Sequence, residues 1–502
     1  MAKICLCLTG KTLARDLEIL AKYRKYADIA ELRVDCLEPD ERLMIRRFPE
    51  QAGLPVILTI RRKADGGFYS GGEGARINLL SRGLAFAEAD RRRNFAYVDI
   101  EEDLNVPSLE EAARTFGTRI IRSCHDINGA EGNLAEKIQS LCHAGDEMAK
   151  MAVTPRSLAD VIRIVQAAGE TADIEKVVLG MGRFGMITRI LAERIGSRLS
   201  YASPSGEKDI PPAAPGQIDV RELAELYRFR EIGLSTKIYG VTGYPLTVSD
   251  SPRFFNAVFA MENTNAVYVP VPADSAASLV SLAEELGFSG LSVTVPYKEA
   301  ILPMLAHRSA ETVAIGACNT IVNSGGLWTG FNTDARGFSD SLLDFSGLKN
   351  LKRRRVTIIG AGGAARAVAF EIHRLGGRAL ILNRTVVRAR DLASVYKFRW
   401  GGLDSQGLAA MGNYSDIIIN TTPAGMEGSA ERDPLPSYVF HGREQVMDLV
   451  YRPEVTPLLQ RALAAGCRIK NGRDMLIRQA CFQYAAFMGK ELSGQLVSRV
   501  VF

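Results

Sequence analysis

Residues 355–388 read RVTIIGAGGAARAVAFEIHRLGGRALILNRTVVR. Val356 to Ile359 is an apolar, β-branched run of the kind that forms a buried parallel strand. It passes into Gly360, Ala361, Gly362, Gly363 and Ala364, and then into an alanine-rich segment with helical spacing. Gly360 permits a tight turn, Gly362 lets the backbone approach a pyrophosphate, and the small Ala365 lets helix and strand pack closely. The helix N-terminus then offers unpaired N–H groups to phosphates. A second strand at 379–382 follows at the spacing of a βαβ unit.

The end of that second strand carries more information. An NAD site commonly ends it with Asp or Glu, which binds the ribose 2′-hydroxyl. Here it ends in Asn383, Arg384 and Thr385, with Arg388 a turn later and no carboxylate. Arginine in that place suits a 2′-phosphate, so the expected cofactor is NADP. A glycine-rich turn in another α/β domain, with arginines on its surface, is the alternative.

At 502 residues, the chain is long enough for two or three domains. Hydrophobic content of 47% with 24% charged residues is that of a globular protein. No apolar run approaches the roughly 18 residues that span a bilayer, so no membrane association is expected. The opening MAKICLCLTG enters a strand at once and resembles neither a signal nor a transit peptide, so a cytoplasmic location is expected. The 8 cysteines are scattered without metal-ligand spacing, and Cys5 and Cys7 read as small buried side chains on one strand face. No metal is expected. Net charge is +5, and the runs at 91–93 and 352–355 lack interleaved aromatic residues, so they read as solvated ends rather than a nucleic-acid surface. The sequence leaves the oligomeric state open.

From the start to about residue 220, short β-branched runs alternate with amphipathic stretches. Strands are expected at 4–8, 29–35, 56–61, 97–101, 119–125, 148–153, 177–181 and 199–202. This is the eightfold rhythm of a (β/α)8 TIM barrel; an open doubly wound sheet could give the same rhythm, but no strand leads into a glycine-rich phosphate turn. The strand ends are polar. Glu31, Arg33 and Asp35 share one face by period-2 alternation, Arg61 ends the third strand, and Asp99 and Glu101 lie on the fourth. His125 and Asp126 end the fifth, and Lys150 interrupts an apolar sixth. Lys150 reads either as half of a buried ion pair with Glu31 or Glu101, or as an amine whose pKa burial and arginines lower, ready to form a Schiff base.

ELRVD, the Arg61 strand end, SCHD around His125, AKMAV around Lys150 and APGQI at 214–218 together resemble type I 3-dehydroquinate dehydratase over the whole first half. The resemblance implies a Schiff base between Lys150 and a substrate ketone. His125 would remove the C2 proton and assist loss of water. Glu31, Arg33, Arg61 and Arg189 would hold the carboxylate and hydroxyls, with Glu101 orienting His125. The Pro- and Gly-rich 203–217 stretch would close over the site, with Gln217 in contact. Ala213 departs from the family, which commonly has a hydroxyl residue there.

Residues 219–232 read as an amphipathic helix, joined without a long linker to a new strand at Ile238. Further on, polar residues cluster at expected element ends: Ser249 and Ser251, Lys298, Asn319, and Asn332 to Asp334. Each alone reads as a helix cap or a solvated residue. With GAGGAARA, NRTVVRA, NTTPAGM at 420–426, DLVYRP around Tyr451 and GRDMLIRQA around Gln479, they resemble shikimate dehydrogenase over the whole second half. That resemblance implies a carboxylate site at Ser249 and Ser251 and a ring site of Thr294, Asn319, Asp334, Tyr451 and Gln479. It also implies a catalytic pair of Lys298 and Asp334, with Leu449 and Gly472 near the nicotinamide. Val248 departs from the family, which usually has His there.

The expected architecture is α/β: a barrel at 1–220, a substrate-binding domain at 237–340 completed by 475–502, and a Rossmann-type NADP domain at 341–474. The expected function is dehydration of 3-dehydroquinate to 3-dehydroshikimate, followed by NADPH-dependent reduction to shikimate. The partners are these small molecules. Two alternatives stay open: a dehydrogenase that prefers quinate, and a non-catalytic metabolite sensor.

Overall fold

The computed structural model describes residues 1–85, 91–244, 246, 249–430 and 432–500, with only the backbone of Arg91. Val248 lies outside the described residues. The chain divides into two compact units, Met1–Phe288 and Ser289–Phe502.

In the first unit, eight strands follow one another: β1 (Lys3–Leu8), β2 (Ile29–Arg33), β3 (Val56–Thr59), β4 (Tyr97–Glu101), β5 (Arg119–Asp126), β6 (Met148–Val153), β7 (Lys176–Gly180) and β8 (Leu199–Ser203). Each pairs in parallel with the next up to β7, and β1 lies between β2 and β8. A parallel bridge between Lys176 and Ser197 completes the ring, with Arg198 N–H donating to Lys176 O at 2.8 Å. This is the expected barrel. Its strands are buried almost throughout, which explains why they read as apolar runs rather than as alternation. Ile29, Met148 and Leu199, from alternate strands, fill one interior level with Tyr97 packed against them.

Two strands end two residues earlier than expected, and the other ends agree to within one residue. β2 stops at Arg33 because Val34 to Cys36 form a tight turn, whose Asp35 carboxylate accepts from the N–H groups of Arg61 and Phe68. β3 stops at Thr59, so Arg61 lies in the loop beyond it. After the short β9 (Ile218–Asp219), the helix expected over 219–232 is broken. Glu222–Leu226 is a single wide turn closed by Tyr227 N–H to Glu222 O, and Arg228 then takes φ +50° and ends it. β10 (Lys237–Gly243) and β11 (Ala266–Pro272) pair in parallel.

The second unit takes up the chain within β12 (Phe288–Val293). β13 (His307–Arg308), β14 (Thr320–Ser324) and β15 (Leu327–Phe331) follow, with β14 antiparallel to β12 and to β15. The helix Thr333–Ser346 packs closely on the helix Arg473–Met488, since a Cβ on Gly337 would lie 2.9 Å from the Gln479 Cβ. Between them in sequence comes a parallel sheet of β16 (Arg355–Ile359), β17 (Arg378–Leu382), β18 (Arg399–Gly401), β19 (Ile417–Asn420), β20 (Gln445–Asp448) and β21 (Arg468–Lys470). Its order, β18-β17-β16-β19-β20-β21, is that of the dinucleotide-binding fold, with the order reversing at β16. Among the described residues no helix is long and apolar enough to cross a membrane.

Candidate active sites

Inside the barrel, period-2 alternation brings Glu31 (β2), Asp99 (β4), Lys150 (β6) and Tyr201 (β8) together from alternate strands. Lys150 Nζ lies 2.7 Å from Asp99 Oδ2, 3.7 Å from Glu31 Oε1 and 4.3 Å from the centre of the Tyr201 ring. Lys150 is thus part of a buried ion pair, but its nearest partner is Asp99 rather than Glu101. Burial opposes the charge on Asp99, yet Arg61 and Lys150 overcome it and hold the carboxyl far below its ordinary range. Arg61 also bonds Glu101 at 2.7 Å, and Thr59 O–H donates to Glu31 at 2.9 Å.

The expectation that Glu101 orients His125 needs correction. One Glu101 oxygen accepts from Arg61 and the other from Arg76 at 2.6 Å, while His125 Nδ1 is buried without a hydrogen-bond partner. The physical reason is that each Glu101 oxygen is drawn to a guanidinium, Arg61 on one side and Arg76 on the other. Arg76 sits fully buried on the helix Glu73–Leu84, and nothing in its local sequence announced it. Burial, with Arg61 and Lys150 nearby, pushes the His125 pKa well below 6.5 and keeps the imidazole neutral.

Arg33 is held by Asp35 at 2.7 Å and donates to Ala213 O at 3.3 Å. Gln217 Oε1 accepts from Ala213 N–H at 2.9 Å, and its Nε2 meets Cys7 Sγ at 3.1 Å. The 203–217 stretch is therefore fastened to the ends of β1 and β2. Arg189 differs from the other arginines. It is 1% exposed and donates only to Tyr201 O, and its Nε and Nη2 have no partner. Burial lowers its pKa to about 10. An uncompensated buried cation of this kind is costly without an anion.

The second unit holds another lysine–carboxylate pair. Lys298, on the short helix Tyr297–Ala300, places Nζ 2.5 Å from Asp334 Oδ2. Asp334 lies in the first turn of Thr333–Ser346, which Asn332 caps through Ala335 N–H. Asn319 Nδ2 donates to the other Asp334 oxygen at 2.9 Å and reaches Gln479 Oε1 at 3.5 Å. Gln483, which sequence reading missed, ties Ser292 O–H to the Asn319 carbonyl. Thr294 and Tyr451 are half-buried. Ser249 and Ser251 belong to the first unit, where Ser251 opens the helix Ser251–Met261 and Ser249 Oγ accepts its N–H at 3.3 Å.

The dinucleotide turn fits the group expected of it. Gly360 has φ +108°, and a Cβ there would lie 2.5 Å from Thr421 Oγ1, so only glycine serves. Ala361 is buried, while Gly362 is exposed and caps the helix Gly363–Arg374, whose second residue is Ala364. The turn abuts the lysine pair, since a Cβ on Gly363 would lie 3.0 Å from Lys298 Cδ. At the end of β17, Arg384, Thr385 and Arg388 are exposed, and Asn383 Nδ2 donates to Thr385 O at 2.9 Å. Leu449 O lies so close to Gly472 that a Cβ there would fall 2.0 Å away.

Three family models match the chain: type I 3-dehydroquinase over residues 4–233, the shikimate dehydrogenase substrate binding domain over 241–321, and shikimate / quinate 5-dehydrogenase over 344–427. The chloroplastic bifunctional 3-dehydroquinate dehydratase/shikimate dehydrogenase of Arabidopsis thaliana is 31% identical over 94% of this chain and 80% of its own length. The NADP(+) shikimate dehydrogenase of Moorella thermoacetica is 40% identical over 54% of this chain and 94% of its own. The pentafunctional AROM polypeptide of Malassezia globosa is 31% identical over 92% of this chain, which spans 30% of that larger protein. The chain belongs to the family of bifunctional 3-dehydroquinate dehydratase/shikimate dehydrogenases.

Proposed function

We propose that the chain dehydrates 3-dehydroquinate to 3-dehydroshikimate in its barrel and reduces that ketone to shikimate in its second half. The observation that carries the reading is the presence, in one chain, of two differently placed lysines. Lys150 is enclosed with carboxylates inside a barrel, and Lys298 is paired with Asp334 beside a dinucleotide turn.

In the barrel, the partly unpaired Arg189 guanidinium takes the substrate carboxylate. Lys150 passes a proton to the neutral His125 and attacks the ketone as the free amine, and His125 returns that proton to the oxygen that leaves as water, giving the iminium. Asp99 holds the amine in place but is too acidic to be a useful base. The neutral His125 is the base, so it removes the C2 proton, which the iminium acidifies, and returns a proton to the departing hydroxyl. Hydrolysis of the imine frees Lys150 and 3-dehydroshikimate.

In the second half, NADPH when bound supplies hydride. Gly360, Gly362 and Gly363 would cradle its pyrophosphate, Arg384 and Arg388 its 2′-phosphate, and Leu449 and Gly472 would border the nicotinamide. Lys298 protonates the oxygen as negative charge develops on it, and Asp334 holds the ammonium and a ring hydroxyl. Within the second unit, Thr294, Asn319, Tyr451 and Gln479 surround the ring. We assign 237–340 with 475–502 to substrate and 341–474 to cofactor. We also propose a cytoplasmic location, which the chain's free cysteines suit.

Supplying 3-dehydroquinate and NADPH to the purified chain tests the reading: NADPH should fall as shikimate accumulates. NADP+ reduction with quinate but not with shikimate would favour a quinate dehydrogenase, and no turnover at either site would favour a sensor.

A further inference from the structure

The reaction outlined above leaves Asp448 unused. It ends β20, and its carboxylate is fully buried. Oδ1 accepts from Asn420 Nδ2 at 2.9 Å and from Val450 N–H at 3.0 Å, and Oδ2 accepts from Thr456 O–H at 2.6 Å. None of these donors is a cation. A buried carboxylate without a countercharge costs stability, and an apolar residue would join these strands more cheaply. Burial raises its pKa to about 6, so near neutral pH it is ionised and accepts from all these donors.

What the carboxylate joins is informative. Asn420 continues the network, its Oδ1 accepting from Thr422 N–H at 3.0 Å and Thr422 O–H at 2.7 Å. Thr421, held between them, donates to Ile359 O at 2.6 Å and lies against Gly360 of the dinucleotide turn. On the other side, Leu449 N–H donates to Asn420 O at 2.9 Å, and Gly472 N–H donates to Val450 O at 3.1 Å. Thr456 caps the helix Pro457–Ala464. The same carboxylate therefore ties the loop that abuts the pyrophosphate turn to the loop that carries Leu449 and Tyr451.

We propose that Asp448 is a positioning residue for hydride transfer, fixing the spacing between the cofactor turn at Gly360 and the Leu449–Tyr451 loop that borders nicotinamide and substrate. This rests on the dehydrogenase reading. Misplacement by about 1 Å costs on the order of a hundredfold in rate, so slack in this tie lowers kcat more than it weakens binding.

The test uses the full chain with Asp448→Leu, Asp448→Asn and Thr456→Val. NADPH sites counted by fluorescence titration control for folding of the second unit, and the dehydratase rate of each sample controls for the amount of intact chain. Asp448→Leu and Thr456→Val should lower kcat per titrated site by at least roughly tenfold while the NADPH Kd moves less than about threefold. Asp448→Asn should recover to within about threefold of the parent, because its amide still accepts from Val450 and donates to Thr456. A purely structural role would reduce the number of sites and leave kcat per site unchanged, which would overturn the proposal. A loss carried wholly by NADPH Kd would overturn it too. If Asp448→Leu does not fold, Thr456→Val decides. A parent chain with no dehydrogenase activity would instead refute the functional reading.

Discussion

Lys150 and Asp99 face each other across 2.7 Å inside the barrel, two strands apart, with the Tyr201 ring 4.3 Å from the same ammonium. The contact fixes the amine in one place before any substrate arrives. Its geometry leads directly to a covalent test. Borohydride added during turnover should reduce the imine and attach the substrate skeleton to Lys150 irreversibly, as read by peptide mass spectrometry. An active dehydratase without that adduct would contradict the Schiff-base route.

Arg189 should show opposing effects on stability and function. Replacing it with Met removes a buried, partly unpaired cation, so the melting temperature of the free protein should not fall and is expected to rise. The same change removes a charge-assisted contact worth about 1.5–3 kcal/mol, so the KM for 3-dehydroquinate should rise roughly tenfold or more. A variant that is destabilised but keeps its KM would make Arg189 a structural residue.

His125 should stay neutral well below pH 6.5. Its folded pKa is depressed by burial and by Arg61 and Lys150, whereas the unfolded chain binds that proton near pH 6.5. The unfolded state therefore takes up more protons as pH falls, and the site loses stability below about pH 6.5 until the folded ring itself titrates. Imidazole proton NMR, assigned with His125→Ala, should give a midpoint well under 6.5. A midpoint at or above that value would remove His125 as the neutral base.

The proposed site makes Arg384 the reader of the cofactor's 2′-phosphate. A charge-assisted contact to the 2′-phosphate is worth about 1.5–3 kcal/mol, so NADPH should be preferred over NADH by roughly tenfold or more. Arg384→Ala should erase most of that preference. Equal use of NADH by the parent chain would show that the exposed arginines at 384 and 388 do not read the phosphate.

The eightfold strand rhythm and the turn at Gly360 were legible because both are local. One is set by apolar runs and the other by a backbone angle that only glycine accepts. Lys150 and Lys298 stood out as charges in apolar or turn settings. Their partners were harder to read. Asp99 and Glu101 share one face of β4, and sequence alone could not tell which reaches Lys150, because barrel curvature decides it. Glu101 is claimed by Arg76, a long-range contact with no local signal. The break at Tyr227 and Arg228 was also hidden, since the residues around it keep helical spacing while the backbone unwinds. Asp448 carries no local signal, because its donors are spread from Asn420 to Thr456 and only the fold brings them together.

The central claim is that two separate lysine sites run successive reactions in one chain, and paired assays on Lys150→Ala and Lys298→Ala test it most directly. Each variant is supplied first with 3-dehydroquinate and NADPH, then with 3-dehydroshikimate and NADPH. Lys150→Ala should be inactive with the first substrate and close to the parent with the second. Lys298→Ala should accumulate 3-dehydroshikimate at the parental rate while its dehydrogenase kcat falls by at least roughly 100-fold. A Lys298→Ala dehydrogenase kcat within about threefold of the parent, or a Lys150→Ala chain that still dehydrates 3-dehydroquinate, would contradict the account.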